Sequence, residues 1–199
     1  CAAGSAASRN RSTALSGRQL TPGGWALYRL QVWFAYNLCY QWELRLRLED
    51  YAAPDLIALG IAAGDKQELL GNLVDRLLQS GRVRDTAGLM GELLKREQVM
   101  STGIGGGIAI PHALTNDVDA LVLVFGRTAA PMDFQALDGQ PVDLVFMLVG
   151  PKSASSVYVK LLARVSRLLQ SEHFKDRLRA SAAPADVFEI FRSESEYVQ

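Results

Sequence analysis

The chain has 199 residues, 49% of them hydrophobic and 21% charged, which is typical of one globular domain with an extension. Its net charge of zero conceals an asymmetry: residues 1–47 hold six arginines and one acid, whereas residues 48–199 hold fifteen basic and twenty acidic residues. The acidic second part offers no basic surface of the kind that nucleic-acid-binding domains use, so no nucleic-acid partner is expected.

Residues 1–47 differ from the rest of the chain in composition. They contain both cysteines and all three tryptophans, and residues 1–20 are rich in alanine, serine and arginine but contain no acid. On a chain that begins with Cys1, this composition predicts an N-terminal extension that is disordered or not native. An amphipathic interaction helix over residues 25–42 is the alternative, and its polar positions argue against insertion into a membrane.

Residues 48–199 contain no cysteine, so neither a disulfide nor a cysteine-ligated metal is possible there. This absence fits a reducing compartment, and a cytoplasmic location is expected. The same part holds two histidines distant in sequence, His112 and His173, which make a poor metal site. No metal or other cofactor is therefore predicted, and His173 is expected to be a solvated surface residue.

The elements are predicted in chain order as a strand, two helices, about three strands and three helices. The apolar run 56–61 is a strand, Asp65 begins a helix that Gly81 ends, and a second helix runs from Asp85 to Arg96. The remaining predicted elements are strands over 108–110, 120–125 and 142–149, a turn at 138–139, an apolar helical stripe over 157–169, and short helices from 171 and from 184.

Two of these strands, 120–125 and 142–149, are continuous apolar runs rich in β-branched residues. Such runs are typical of central strands buried on both faces, which requires helices on both sides of the sheet. The sequence therefore predicts an α/β (α+β) fold over residues 48–199, namely a three-layer α/β/α sandwich with a mixed central sheet.

His112 is the first candidate for chemistry. It follows the glycine-rich segment 103–107 and a short β-like run, and Pro111 fixes the backbone just before it. Because histidine is mostly neutral near pH 7, a ring nitrogen can accept a phosphoryl group and pass it on. A purely structural, hydrogen-bonding histidine is the alternative that position alone leaves open.

Arg96 and residues 101–107 are candidates for binding phosphate. A guanidinium binds phosphate oxygens through two N–H groups, but the residues alone favour a charge at a helix C-terminus that pairs with Glu97 or Glu92. Backbone N–H groups of the glycine-rich segment and the hydroxyls of Ser101 and Thr102 are suited to phosphate oxygens; a plain flexible connection is the alternative. The segment matches neither a dinucleotide-binding fingerprint nor a Walker loop.

Three nearby segments form one longer pattern: LLKRE at 93–97, STGIG at 101–105 and GIAIPHA at 107–113. This pattern resembles the signature of the fructose, mannitol and nitrogen-regulatory IIA domains of the bacterial phosphotransferase system. Shorter matches extend the resemblance over about residues 46–193, at 65–66, 132–134, 137–142, 160–163 and 167–169. The resemblance implies a mixed sheet between helical layers, in agreement with the order of elements predicted above.

The resemblance also implies roles for particular residues. His112 would be phosphorylated on Nε2 by the histidine phosphocarrier protein, and Arg96 would stabilise the phosphohistidine. The implied phosphate pocket consists of Ser101, Thr102, Gly103, Gly105, Gly107 and Tyr158. Many family members carry a second histidine at the position of Tyr158; a phenol can donate one hydrogen bond but does not shuttle protons near pH 7, which leaves the rate or direction of transfer open.

Three functions within this family are compatible with the sequence. A nitrogen-regulatory IIA protein would bind regulatory proteins or transporters according to its phosphorylation state, and the lack of IIB and IIC regions favours this function. A sugar-path phosphotransferase component would instead donate its phosphoryl group to a separate IIB domain. A phosphorylation-dead binding module is the third, and the presence of both Arg96 and His112 argues against it.

Overall fold

The computed structural model describes residues 46–194, which form six strands and five helices. The strands are β1 (Ile57–Ile61), β2 (Gly103–Gly105), β3 (Ile108–Ala109), β4 (His112–Leu114), β5 (Val122–Met132) and β6 (Val142–Gly150). The helices are α1 (Lys66–Gln79), α2 (Thr86–Val99), α3 (Ser155–Leu168), α4 (Glu172–Ala180) and α5 (Pro184–Arg192). The predictions for residues 1–45 lie outside the described residues. Within 46–194, none of the helices has the length and apolar character needed to cross a membrane.

All six strands belong to one mixed sheet, which confirms the predicted fold class. The order is β1-β5-β6-β3-β2, with β4 also paired to β6. β1 is parallel to β5, β3 and β4 are parallel to β6, and the pairs β5–β6 and β2–β3 are antiparallel. β3 and β4 follow each other along β6, with Ile108 opposite Leu144 and His112 opposite Leu148. The chain therefore interrupts its strand pairing with β6 at Ile110 and Pro111 and resumes it at His112.

Each face of the sheet carries its own hydrophobic core. α1 and α2 cover one face, and α3, α4 and α5 cover the other. Along β6, Val145, Met147 and Val149 belong to the first core, and Leu144, Phe146 and Leu148 belong to the second. One continuous apolar run thus supplies both cores, as the three-layer prediction requires.

The two helices before the glycine-rich segment begin where the sequence predicts. Asp65 accepts a hydrogen bond from the Glu68 amide at 2.8 Å, and Asp85 accepts from the amides of residues 87 and 88. α2 continues to Val99, past the end predicted at Arg96. No glycine or proline stops it earlier, and the extended backbone of residue 100 ends it. Arg96 consequently lies within the last turn, with its side chain directed to the sheet edge.

The glycine-rich segment is a β-hairpin formed by β2 and β3, not a flexible connection. Gly105, Gly106 and Gly107 have φ angles of 101°, 63° and 83°, which other residues rarely adopt. Asp138 accepts from the Gly106 amide at 2.9 Å, and Arg179 donates to the Gly106 carbonyl at 3.2 Å. The glycines therefore allow a tight turn that other parts of the protein hold on both sides.

Candidate functional site

His112 lies between the two helical layers. It is the first residue of β4, half-buried, where the chain resumes pairing with β6. Arg96 reaches it from α2 on one side of the sheet, and Tyr158 from α3 lies near it on the other. The fold thus brings two predicted residues, Arg96 and Tyr158, from separate helices to the imidazole of the third, His112.

The hydrogen bonds of His112 define its tautomer. Nδ1 lies 2.7 Å from the carbonyl oxygen of Ile110, which can only accept, so Nδ1 carries the proton. Nε2 is therefore left with its lone pair, and it accepts a hydrogen bond from Nε of Arg96 at 3.0 Å. The nitrogen that the family resemblance implies as the phosphorylation site is the nucleophilic one.

Burial and charge keep this imidazole neutral. Burial lowers the pKa of His112 below its ordinary value, and the Arg96 cation lowers it further. The Ile110 carbonyl and the Glu97 carboxylate act in the opposite direction but do not cancel the decrease. His112 is therefore unprotonated, and able to act as a nucleophile, at pH values where a solvated histidine is already partly charged.

Arg96 is held by groups other than acids. Its Nη1 donates to the Met100 carbonyl at 3.0 Å, and its Nε donates to His112. Glu97, one of the predicted acidic partners, instead forms an ion pair with Lys66 at 2.8 Å. The Arg96 guanidinium, with five N–H donors, thus retains donor capacity at the nucleophile.

Lys66, Glu97 and Thr102 form a compact polar cluster beside the site. The Glu97 carboxylate accepts from the Thr102 amide at 3.0 Å and from its hydroxyl at 2.5 Å, and the Glu97 and Lys66 side chains are only 7% and 17% exposed. Burial alone would raise the pKa of Glu97, but the hydrogen bonds from Lys66 and Thr102 outweigh it and lower that pKa. The sequence did not predict that these three residues meet, because Lys66 and Glu97 are 31 positions apart.

Ser101 and Thr102 lie near the site, but their hydroxyl protons are already donated. The Ser101 hydroxyl donates to the Phe134 carbonyl at 3.1 Å, and the Thr102 hydroxyl donates to Glu97. Thr102 is also almost completely buried. Their geometry suits shaping the site rather than donating to a phosphate oxygen.

The predicted pocket glycines lie at different distances from His112. A Cβ on Gly103 would come within 2.8 Å of the Ala136 Cα, so this glycine permits close backbone packing. Gly107 accepts from the amides of residues 143 and 144, four positions along β6 from the partner of His112, or about 13 Å. Gly105 lies against Asp138 at the same distant end. The structure therefore does not bring Gly105 and Gly107 to the imidazole.

Tyr158 is part of the wall around His112. Its ring centroid is 6.1 Å from that of His112, the rings are tilted by 57°, and the residue is 7% exposed. Burial raises the pKa of Tyr158 to about 12, against the opposing effect of Arg96. The phenol therefore stays protonated, as a hydrogen-bond donor, across the physiological range.

Exposed apolar side chains occur on the two helices that supply Arg96 and Tyr158. Val99 and Met100, at the end of α2, are 79% and 59% exposed, and Val157 precedes Tyr158 on α3 with 36% exposure. Val99 and Met100 are consecutive and lie in or directly after the helical turn that carries Arg96. Among residues 46–194, no group of three or more His, Cys, Asp or Glu side chains is arranged to hold a metal ion.

Known proteins resemble this chain over the same region. The family model described as "Phosphoenolpyruvate-dependent sugar phosphotransferase system, EIIA 2" matches residues 51–194. A nitrogen regulatory protein of Bradyrhizobium diazoefficiens is 33% identical over 143 residues, which are 72% of this chain and 93% of that protein. The fructose-specific EIIABC component of Bacillus subtilis is 32% identical over 145 residues, 73% of this chain but 23% of that protein.

A solved structure shows the same fold. The nitrogen regulatory protein IIA-Ntr of Neisseria meningitidis is 27% identical, with a TM-score of 0.67 over 72% of this chain and 97% of that chain. The family match covers most of the residues whose geometry is described above, including both His112 and Arg96. The chain therefore belongs to the type-2 EIIA family of the phosphoenolpyruvate-dependent sugar phosphotransferase system.

Proposed function

We propose that this chain is a cytoplasmic phosphocarrier that accepts a phosphoryl group on Nε2 of His112 from a histidine phosphocarrier protein. The observation that carries the proposal is the hydrogen bond between Nδ1 and the Ile110 carbonyl, because it leaves Nε2 with a lone pair. The lowered pKa of His112 keeps that lone pair unprotonated near neutral pH.

The transfer balances without any further reactant. The Nε2 lone pair attacks phosphorus, a new nitrogen–phosphorus bond forms, and the donor's nitrogen–phosphorus bond breaks with its electron pair returning to the donor ring. The proton of Nδ1 stays on Nδ1 throughout and remains hydrogen-bonded to the Ile110 carbonyl oxygen. The protein's contribution is to orient the imidazole and to stabilise the phosphoryl charge.

Arg96 and Tyr158 are the proposed donors to the phosphoryl oxygens. In the free protein, Nε of Arg96 donates to the attacking lone pair, so this bond must break before transfer. The released guanidinium is then close enough to bind two phosphoryl oxygens as a fork. Tyr158 adds a neutral O–H donor, while Ser101, Thr102 and Gly103 shape the backbone below the site.

Among family members, a nitrogen-regulatory role is the one we propose. The nitrogen regulatory relative matches over 93% of its length, which means that the matched region is nearly all of that protein. Phosphorylation of His112 would then control binding to a regulatory protein or a transporter. Val99 and Met100, exposed at the end of the helix that carries Arg96, are the apolar side chains that such a partner would contact beside the phosphoryl group.

Donation to a IIB domain is the second candidate. The observation in its favour is the 32% identity to a fructose-specific protein whose name includes the A, B and C components. The two functions differ in the fate of the phosphoryl group. Transfer to the cysteine of a purified IIB domain supports the sugar path, and phosphorylation-dependent binding without onward transfer supports regulation.

Intact-mass analysis tests the phosphocarrier proposal. The protein is incubated with phosphoenolpyruvate, enzyme I and the histidine phosphocarrier protein, and compared with His112→Ala. We expect an acid-labile gain of one phosphoryl group that His112→Ala abolishes. His173→Ala, which removes the exposed histidine of α4, is the matched control and should gain the group normally. Absence of any gain in the wild type with cognate donors would refute the proposal.

A further inference from the structure

Glu97 follows Arg96 in the last turn of α2 but has no part in the transfer described above. Its carboxylate contacts Lys66 and Thr102. Burying a carboxylate costs desolvation free energy, which its ion pair and hydrogen bonds must offset. Such an arrangement is therefore unusual on a surface helix unless it has a structural or functional role. Glu97 is next to Arg96 in sequence, so its contacts with Lys66 and Thr102 also fix the helical turn that carries Arg96.

A chain of hydrogen bonds leads from Glu97 to the imidazole. Glu97 accepts from the Thr102 amide, and the Thr102 carbonyl accepts from the Ile110 amide at 2.9 Å. The Ile110 carbonyl in turn accepts from Nδ1 of His112 at 2.7 Å. The carbonyl that fixes the tautomer is thus held, through one intermediate residue, by the Glu97 carboxylate.

A second and shorter connection joins α2 to the other ring nitrogen of His112. Nε2 of His112 accepts from Arg96, which is covalently adjacent to Glu97 on the same helical turn. Both ring nitrogens of His112 are therefore hydrogen-bonded to groups whose positions are set by the last turn of α2, at Arg96 and Glu97. Lys66, from the first turn of α1, fixes that place from outside by its 2.8 Å bond to Glu97.

We propose that Glu97 is a positioning residue for His112, holding both the carbonyl that selects the Nδ1–H tautomer and the turn of helix that presents Arg96. This inference rests on the proposed phosphocarrier function. Glu97 does not touch the phosphoryl group. It acts through Thr102 and Ile110 on one ring nitrogen and through the backbone of Arg96 on the other.

A simpler possibility is that the Lys66–Glu97 pair merely joins α1 to α2. That role would contribute to the stability of the fold but would leave the imidazole unchanged. The two roles are separable because the positioning role predicts altered hydrogen bonding at Nδ1, and the joining role does not. A spectroscopic measurement on the ring itself can therefore decide between them.

Glu97→Gln is the test variant. The amide keeps the side-chain volume, but its –NH₂ replaces one of the two oxygens, so either Lys66, which donates to Oε1, or the Thr102 hydroxyl, which donates to Oε2, loses its acceptor. Glu92→Gln is the matched control: the same charge is removed five positions earlier on α2. Two quantities are measured on each full-length protein, namely the ¹⁵N chemical shifts of the His112 ring and the rate of phosphoryl transfer from the phosphorylated histidine phosphocarrier protein.

In Glu97→Gln we expect the ring ¹⁵N shifts to move toward a mixture of tautomers and the transfer rate to fall about tenfold to a hundredfold, as for small misplacements of reacting groups. Glu92→Gln should match the wild type in both. Thr102→Val removes the hydroxyl but keeps the hydrogen bond from the backbone N–H of residue 102 to Glu97. Its effect should therefore be in the same direction as that of Glu97→Gln and smaller. It also provides the test if Glu97→Gln does not fold.

The outcomes separate this inference from the proposed function. If the wild type accepts no phosphoryl group, the function fails, but the ring ¹⁵N shifts still decide whether Glu97 positions His112. If the shifts and the rate of Glu97→Gln equal those of Glu92→Gln, the inference is overturned. It is also overturned if only the melting temperature falls, because that result identifies the Lys66–Glu97 pair as a helix-to-helix contact alone.

Discussion

Replacement of Arg96 by methionine should make the phosphorylated form of His112 less favourable. The side chain donates to Nε2 in the free protein and, in the proposed mechanism, to two phosphoryl oxygens afterwards. The variant loses both interactions but keeps an unbranched apolar stem of similar length. Lys95→Met is the matched control, because it removes the same kind of charge from the adjacent, exposed position of α2.

The magnitude follows from the difference between the two states. Two hydrogen bonds to a charged phosphoryl group contribute about 1.5–3 kcal/mol each, and the neutral bond to Nε2 that must break costs about 0.5–1.5 kcal/mol. The net loss in Arg96→Met is therefore about 2–5 kcal/mol, or roughly 30- to 5,000-fold in the equilibrium constant. Arg96→Lys keeps the charge but not the fork, so its loss should be intermediate.

The assay is the equilibrium between the two carriers. The phosphorylated histidine phosphocarrier protein is titrated into each variant, and the fraction of phosphorylated protein is measured by intact mass. We expect Lys95→Met to follow the wild type and Arg96→Met to require a far higher ratio of donor. If Arg96→Met and Lys95→Met reach the same extent of phosphorylation at each ratio, Arg96 does not stabilise the phosphohistidine.

Three further predictions concern the pH dependence, the site wall and the core. Because burial and Arg96 lower the pKa of His112, an NMR titration should place its midpoint below about 6.5. As the pH falls, the unfolded chain protonates this imidazole before the folded protein does. In denaturant titrations the free energy of unfolding should therefore decrease below about pH 6.5, and this pH dependence should be absent in His112→Ala. Tyr158→Phe keeps the buried ring but removes the neutral donor, so the equilibrium constant of phosphorylation should fall about twofold to tenfold, and an unchanged constant would exclude the hydroxyl as a donor. Phe146→Ala removes a fully buried ring 5.0 Å from that of Phe125, and should reduce the free energy of unfolding by about 3–5 kcal/mol in the same titrations; a loss below about 1 kcal/mol would contradict the assigned core.

The layers of the fold could be predicted because their causes are local in the sequence. Apolar runs of strand length indicate burial on both faces, and Asp65 and Asp85 supply the side-chain oxygens that begin α1 and α2. The sequence predicts the strand that became β3, over 108–110, but its pairing with β2 in a hairpin could not be predicted in this way. Its strands have three and two residues, too few for a periodic pattern, and its turn is held by Asp138 and Arg179 from distant positions.

The site could be predicted only as far as single residues reveal their chemistry. His112 and Arg96 carry side chains suited to phosphate, and the structure places them 3.0 Å apart. Serine and threonine hydroxyls are equally suited to phosphate, yet here Phe134 and Glu97 already accept their protons. Whether a hydroxyl is available depends on acceptors contributed by other elements, and no pattern in the sequence records that.

The role of the glycines also could not be predicted from the sequence, because it depends on contacts with distant residues. A glycine-rich segment before a reactive histidine suggests backbone N–H groups that face a phosphate. In this chain the Gly106 amide donates to Asp138, and the Gly107 carbonyl accepts from two amides at the start of β6. Gly103, Gly105 and Gly107 are needed because Ala136, Asp138 and Asp143, respectively, lie where a Cβ would come within 3 Å of them. Their contribution to His112 is therefore indirect. The glycines allow a tight hairpin that holds β3 against β6, and Ile110, which directly follows β3, supplies the carbonyl that selects the His112 tautomer.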